Sequence, residues 1–368
     1  MVSDRSVPRP PGGRAGRAVA RLGRVVLILA VVALVSACAP AGSPASSGST
    51  APSDGASPSG APTGSTPLRV GLGFIPSVQF APFYLADQAG YYEAAGLDVT
   101  FENGNDADII RLAASGDYDI GIADGTSLIP AVSQDIPVRY VATIYADFPS
   151  VVFAQAGRGI ASAADLKGKK LGIPMKAGSS WVMLQALLSS VGLTPADLTI
   201  SQFPDYGQRV AVQEGVVDAA TGFVNNEPVQ LQRSGITPVV LTVDQVVPLP
   251  GPGLIAGQAT IDGPKRDALR AFVAATLRAM QEIAVDPLRG VVAAETAVPE
   301  LAADREGQAA VLEATIDAWQ SAYTDTNGWG AIDPAAWTKS IEFMRTMPDS
   351  PVAKPVTADQ IIDQELLP

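Results

Sequence analysis

The chain has 368 residues, no His, a single Cys and a formal net charge of −12. That length suits roughly two domains; the missing His excludes Ser-His-Asp and Cys-His catalysis and most catalytic zinc sites, and one Cys excludes an internal disulfide. Residues 1–37 hold six Arg and one Asp, a net +5, which leaves −17 for the rest and speaks against nucleic acid or anionic lipid as a partner.

The front end reads as a secretory signal peptide over residues 1–37. Arg5, Arg9, Arg14, Arg17, Arg21 and Arg24 form a positive region, and VVLILAVVALV (25–35) is an apolar core shorter than the about 20 residues of a membrane span. Small residues Ser36 and Ala37 precede Cys38. Val35-Ser36-Ala37-Cys38 resembles the lipobox of bacterial lipoproteins, which implies that Cys38 is lipidated and begins the mature chain. A free buried Cys behind an ordinary signal peptide is the plainer alternative. Residues 38–67 are dominated by Ala, Gly, Ser, Pro and Thr, which predicts a flexible tether.

From Leu68 the pattern turns globular. Strands are predicted at 68–74, 97–102, 118–124 and 138–145, alternating with helices at 81–96, 106–116 and 125–134. The pattern then restarts. Strands near 170–174, 198–204, 216–223 and 237–243 alternate with helices at 179–192, 206–215 and 225–235. Such alternation implies an α/β fold with mainly parallel sheets flanked by helices. Gly116-Asp117-Tyr118-Asp119 and Gly215-Val216-Val217-Asp218 hold matching places in the two halves. Helices follow at 265–284, 286–297, 306–323 and 333–346, each with apolar residues at helical spacing. The organisation expected is a first lobe from 68–157, a second lobe from 158–245, and a return to the first lobe over 246–368. Chain crossings are placed near 155–160 and 243–253. A hinged cleft between the lobes, lined by the carboxyl ends of strands, is the natural ligand site.

GFIPSVQFAPFYLADQAGYYEAAGLDVTF, ASGDYDIGIAD, DLKGKKLGIP and EGVVDAATGFVNNEP, in that order, resemble the substrate-binding proteins of ABC importers, in the branch that takes thiamine-pyrimidine precursors, alkanesulfonates and related molecules. The resemblance covers residues 68 to about 345 and implies a type II periplasmic-binding fold. It also implies a monomer that captures a small molecule by lobe closure and delivers it to a permease and ATPase. The relative that makes the thiamine pyrimidine uses its own His and a Cys-rich iron motif, and this chain has neither in its folded region. No enzyme activity, cofactor or metal is therefore expected. An extracytoplasmic protein, anchored to the outer face of the membrane through Cys38, fits the front end.

Four loops are candidate ligand contacts. In the first, Phe74 and Phe80 can stack on a ring and Gln79 lies between them, although both Phe can equally belong to the core. In the second, Asp124 can accept from an amino group, while Thr126 and Ser127 can contact ligand or cap a helix. In the third, Gly178, Ser179 and Ser180 open a helix and favour an anion, with Trp181 as a possible wall. In the fourth, Phe223 ends a strand and Asn225, Asn226 and Glu227 follow; one Asn is expected to cap the next helix. The remaining Asn and Glu227 make a donor and acceptor set for a heterocycle with an amino group or ring N–H. Tyr145, Asp147 and Tyr206 are weaker candidates.

These residues favour a thiamine-pyrimidine precursor such as a hydroxymethylpyrimidine or formylaminopyrimidine. Riboflavin comes second and an alkanesulfonate or taurine third. The rivals from other classes are an enzyme of pyrimidine synthesis and a sensory domain that reports to a membrane receptor.

Overall fold

The computed structural model describes residues 64–368 apart from Gln245, Pro348 and Asp349. The expected signal peptide, most of the expected tether and Cys38 lie outside the described residues.

Two five-stranded sheets organise the chain. The first contains β1 (Thr66–Leu72), β2 (Leu97–Asn103), β3 (Ile120–Asp124) and β4 (Val138–Thr143). The second contains β5 (Ser150–Gln155), β6 (Lys170–Ile173), β7 (Thr199–Gln202), β8 (Ala219–Phe223) and β9 (Pro238–Leu241). The chain then returns through β10 (Pro252–Gly257) to the first sheet. The orders are β2-β1-β3-β10-β4 and β7-β6-β8-β5-β9. They are the same topology twice. In each sheet one strand runs against the others: β10 is antiparallel to β3 and β4, and β5 is antiparallel to β8 and β9.

These two reversed strands separate the structure from the sequence expectation. Neither is predicted from sequence: β5 falls inside the range expected for the first lobe and β10 begins at the edge of the second crossing, with no element expected at either place. β5 already belongs to the second sheet, so the first passage between sheets runs over 144–149 rather than 155–160. The first strand also starts earlier than expected, inside the range assigned to a tether. β1 begins at Thr66, whose N–H donates to the Gly96 carbonyl at 2.8 Å and which pairs with Leu97.

The matched Gly-x-x-Asp segments make the same joint in both sheets. Asp119 N–H donates to the Arg69 carbonyl, and its carboxylate accepts from the Arg69 N–H, each at 2.9 Å. Asp218 does the same with Lys170, at 2.9 and 2.8 Å. Gly116 and Gly215 supply the left-handed turns before them, with φ of 81° and 70°.

Helices cover both faces of the sheets. The predicted helix over 81–96 is two pieces, Ala81–Gln88 and Tyr91–Ala94, because Gly90 turns left-handed between them. The predicted helix over 306–323 breaks at extended Gln320, and Ser321 caps a new one through reciprocal bonds with Thr324. The long Arg266–Val285 helix lays Phe272 flat on Tyr92, with ring centroids 4.8 Å apart and planes at 6°. A continuous apolar cluster joins Leu128 and Ile129 of the first lobe to Leu184 and Leu187 of the second. The C-terminal segment, not assigned any element at the sequence level, runs along the outer strand β4. Asp363 N–H bonds the Tyr140 carbonyl at 2.9 Å and Leu366 is fully buried. This segment covers an edge that would otherwise present open backbone groups.

Candidate ligand cleft

The carboxyl ends of β1, β3, β6 and β8 converge on a cleft between the lobes that encloses about 970 Å³, its open mouth included. Strand ends leave their last carbonyls and the following N–H groups free for a ligand.

Aromatic rings come from both sides. Phe74, just after β1, meets Tyr206 of the second lobe edge to face, with centroids 4.8 Å apart. Tyr206 is held at φ 58°, a conformation uncommon outside glycine. Tyr145 and Phe223 form a second edge-to-face pair at 6.5 Å. Phe80 also reaches the lining, although it is mostly buried and packs on Phe83.

The polar lining is acidic. Asp124 ends β3, and Asp106 opens the Asp106–Ser115 helix. The Asp124 N–H donates to Asp106 Oδ2 at 2.9 Å, so the two carboxyls are neighbours. Asp124 is only 7% exposed; Asp106 keeps part of its surface open to the cleft but is otherwise enclosed. Burial pushes both carboxyls above the ordinary range. Asp124 rises well above it, because the Asp106 charge adds to burial and outweighs the Ser179 hydroxyl, which favours ionisation. Glu227 faces the same space from the second lobe. Its Oε2 accepts from the Phe223 N–H at 2.8 Å, closing the turn from β8 into the Glu227–Arg233 helix. Burial raises its pKa too, against hydrogen bonds from the Phe223 and Glu227 backbone.

Most of the residues expected from sequence meet here. Phe74, Gln79, Phe80, Asp124 and Tyr145 line the first lobe's side; Gly178, Ser179, Ser180, Phe223, Asn226 and Glu227 line the second's. Four do not line it. Asn225 is fully buried and turned into the joint between lobes. Its Nδ2 donates to Thr315 Oγ1 at 2.7 Å and to Gln79 Oε1 at 3.0 Å, with Tyr145 Oη at 3.5 Å. Trp181 packs against the core with Lys176 Nζ 5.9 Å from its ring centre. Thr126 is buried with its hydroxyl unpartnered, and Ser127 Oγ lies behind the Gly178 turn, 3.7 Å from where a Cβ would stand. Neither Thr126 nor Ser127 caps its helix, whose N-cap position is Asp124. The expected Asn cap is absent as well: Asn226 holds the N-cap position, but its side chain accepts from Gln230 rather than from the helix backbone.

Asp106 and Gln208 were missed. Both open helices and line the cleft. Asp106 in a first helical turn is favoured electrostatically whether or not it meets a ligand, and Gln208 stands in no motif, so sequence gives neither a distinguishing mark. Among the described residues, no group of three or more Cys, Asp or Glu is placed to hold a metal ion.

Residues 77–289 match the model of a family described as NMT1/THI5 like. The chain belongs to that family. A riboflavin-binding protein of Chloroflexus aurantiacus is 34% identical over 302 residues, covering 81% of this chain and 85% of that one. A 4-amino-5-hydroxymethyl-2-methylpyrimidine phosphate synthase of Schizosaccharomyces pombe, another relative of this NMT1/THI5-like chain, is 29% identical over 155 residues, 41% of this chain and 43% of its own. Among solved structures, the ligand-binding component of an ABC-type import system from Staphylococcus aureus superposes with a TM-score of 0.60 at 14% identity. That superposition covers 82% of this chain and 97% of the other, and it shows a shared periplasmic-binding fold.

Proposed function

We propose that this protein is the extracytoplasmic substrate-binding component of an ABC importer and that its ligand is riboflavin. The observation that carries the reading is the cleft itself: aromatic rings from both lobes around a small acidic and amide set. A planar ring system with few hydrogen-bonding edges suits such a site. The 34% identity to a riboflavin-binding protein, spanning most of both chains, supports riboflavin over the pyrimidine precursor that the sequence favoured first. Three carboxyls lining the cleft, Asp106, Asp124 and Glu227, disfavour a sulfonate, which needs donors and brings its own negative charge. Binding without catalysis is supported by the absence of His anywhere in the chain. Attachment to the membrane through a lipid on Cys38, with a permease and ATPase as partners, completes the reading.

Titrating the protein into riboflavin and following flavin fluorescence tests it. Saturable quenching at one ligand per chain is expected. Absence of binding to riboflavin, together with tight binding of a hydroxymethylpyrimidine, would return the pyrimidine to first place.

A further inference from the structure

Asp106 and Asp124 present a chemical problem that their surroundings leave unsolved. The Asp124 backbone N–H donates to Asp106 Oδ2 at 2.9 Å, and the Asp106 carboxyl acts directly on the Asp124 side chain. Asp124 Oδ1 is completely buried and accepts from no described residue. Neither carboxyl takes part in an ion pair among the described residues. The groups that bear on Asp124 from other elements are the hydroxyls of Ser179 and Tyr206 in the second lobe, Tyr140 on β4 and Tyr145 beyond it. None is a cation. Gly73 leaves room for the arrangement, since a Cβ there would stand 2.7 Å from Asp106 Oδ1.

A buried carboxylate oxygen without a donor is costly, and two adjacent anions away from water are costlier. A proton held between the carboxyls removes both penalties. We propose that Asp106 and Asp124 share one proton and together form the specificity-determining contact of the cleft. The pair then keeps a net charge of −1, and its outward oxygens accept a ligand N–H. It selects a neutral heterocycle with a ring or exocyclic N–H, such as the imide edge of a flavin, and rejects anions. The ligand side of this proposal rests on the riboflavin reading; the shared proton does not.

Two measurements on the full chain separate those parts. Thermal melts of the unliganded protein, from about pH 5 to about pH 9, read the proton. Folded-state pKa values raised above the unfolded 3.8 make the contribution favourable at low pH and lose it as pH rises through the folded values. The wild-type Tm should therefore fall relative to Asp106→Asn and Asp124→Asn, each of which replaces the proton with an amide N–H. Parallel curves for the three proteins overturn the shared proton. Over the same interval the riboflavin Kd of the wild type should rise by about tenfold, and those of the single variants by less than about threefold. N3-methylriboflavin should bind the wild type about tenfold more weakly than riboflavin. Equal affinity for the two flavins, or a pH-independent wild-type Kd, overturns the recognition role. No riboflavin binding at any pH sinks the flavin reading and this contact with it, while the melts still decide the proton.

Discussion

Asn225 shows how one residue changes meaning between sequence and structure. In Asn-Asn-Glu it reads as a polar group offered to a ligand. In the fold it is a bridge, giving its amide hydrogens to Gln79 and Thr315 inside the joint between lobes. Removing a buried donor strands its acceptors, at a cost of about 1–3 kcal/mol. Asn225→Ala should accordingly lower the urea midpoint. An unchanged midpoint together with weakened riboflavin binding would restore it to ligand contact. Tyr206 moved the other way, from weak candidate to the ring that faces Phe74 across the cleft. An aromatic partner is worth about 0.5–1.5 kcal/mol beyond its burial, so Tyr206→Ala should weaken riboflavin binding about twofold to tenfold. Tyr206→Phe should stay near wild type, and an Ala variant with wild-type affinity would remove Tyr206 from the site.

At the scale of elements, legibility followed the strength of the periodic signal. The strands that alternate with helices were readable because each carries its own apolar run. β10, PGLIAG, has a Pro, two Gly and one β-branched residue, so local propensity argues against a strand. Complete burial between β3 and β4 overrides it. β5, SVVFAQ, is apolar enough, but a short apolar run cannot be told from a buried helix segment by periodicity alone. The cleft was legible where a loop follows a strand and illegible where a helix supplies the contact, as with Asp106 and Gln208. The repeated Gly-x-x-Asp was legible as a pattern, and the structure gives it a job. Its two copies should differ in worth. Asp119 is buried and also holds Lys265 Nζ at 2.7 Å, whereas Asp218 is exposed and holds only the Lys170 N–H. Asp119→Ala should cost about 2–3 kcal/mol and Asp218→Ala about 0.5–1.5 kcal/mol in chemical denaturation. Equal losses would mean that the Lys265 contact contributes nothing.

For the whole molecule, the cleft lies between two sheets tied by a buried polar bridge and a shared apolar cluster. A ligand held by both lobes should stabilise them together. At 100 times its Kd, riboflavin should add about 2.7 kcal/mol to unfolding, read as a single shifted transition. A separate, unshifted transition would show that one lobe unfolds independently of ligand. The reversed strands carry a consequence for the order of assembly. β10 fills the space between β3 and β4, yet the entire second sheet is synthesised before it. A nascent chain ending at residue 245 thus has a first sheet with a gap in its middle, and that sheet cannot close until residues 252–257 arrive. Loop closure over such a distance is slow. This topology postpones its own completion until the last third of translation.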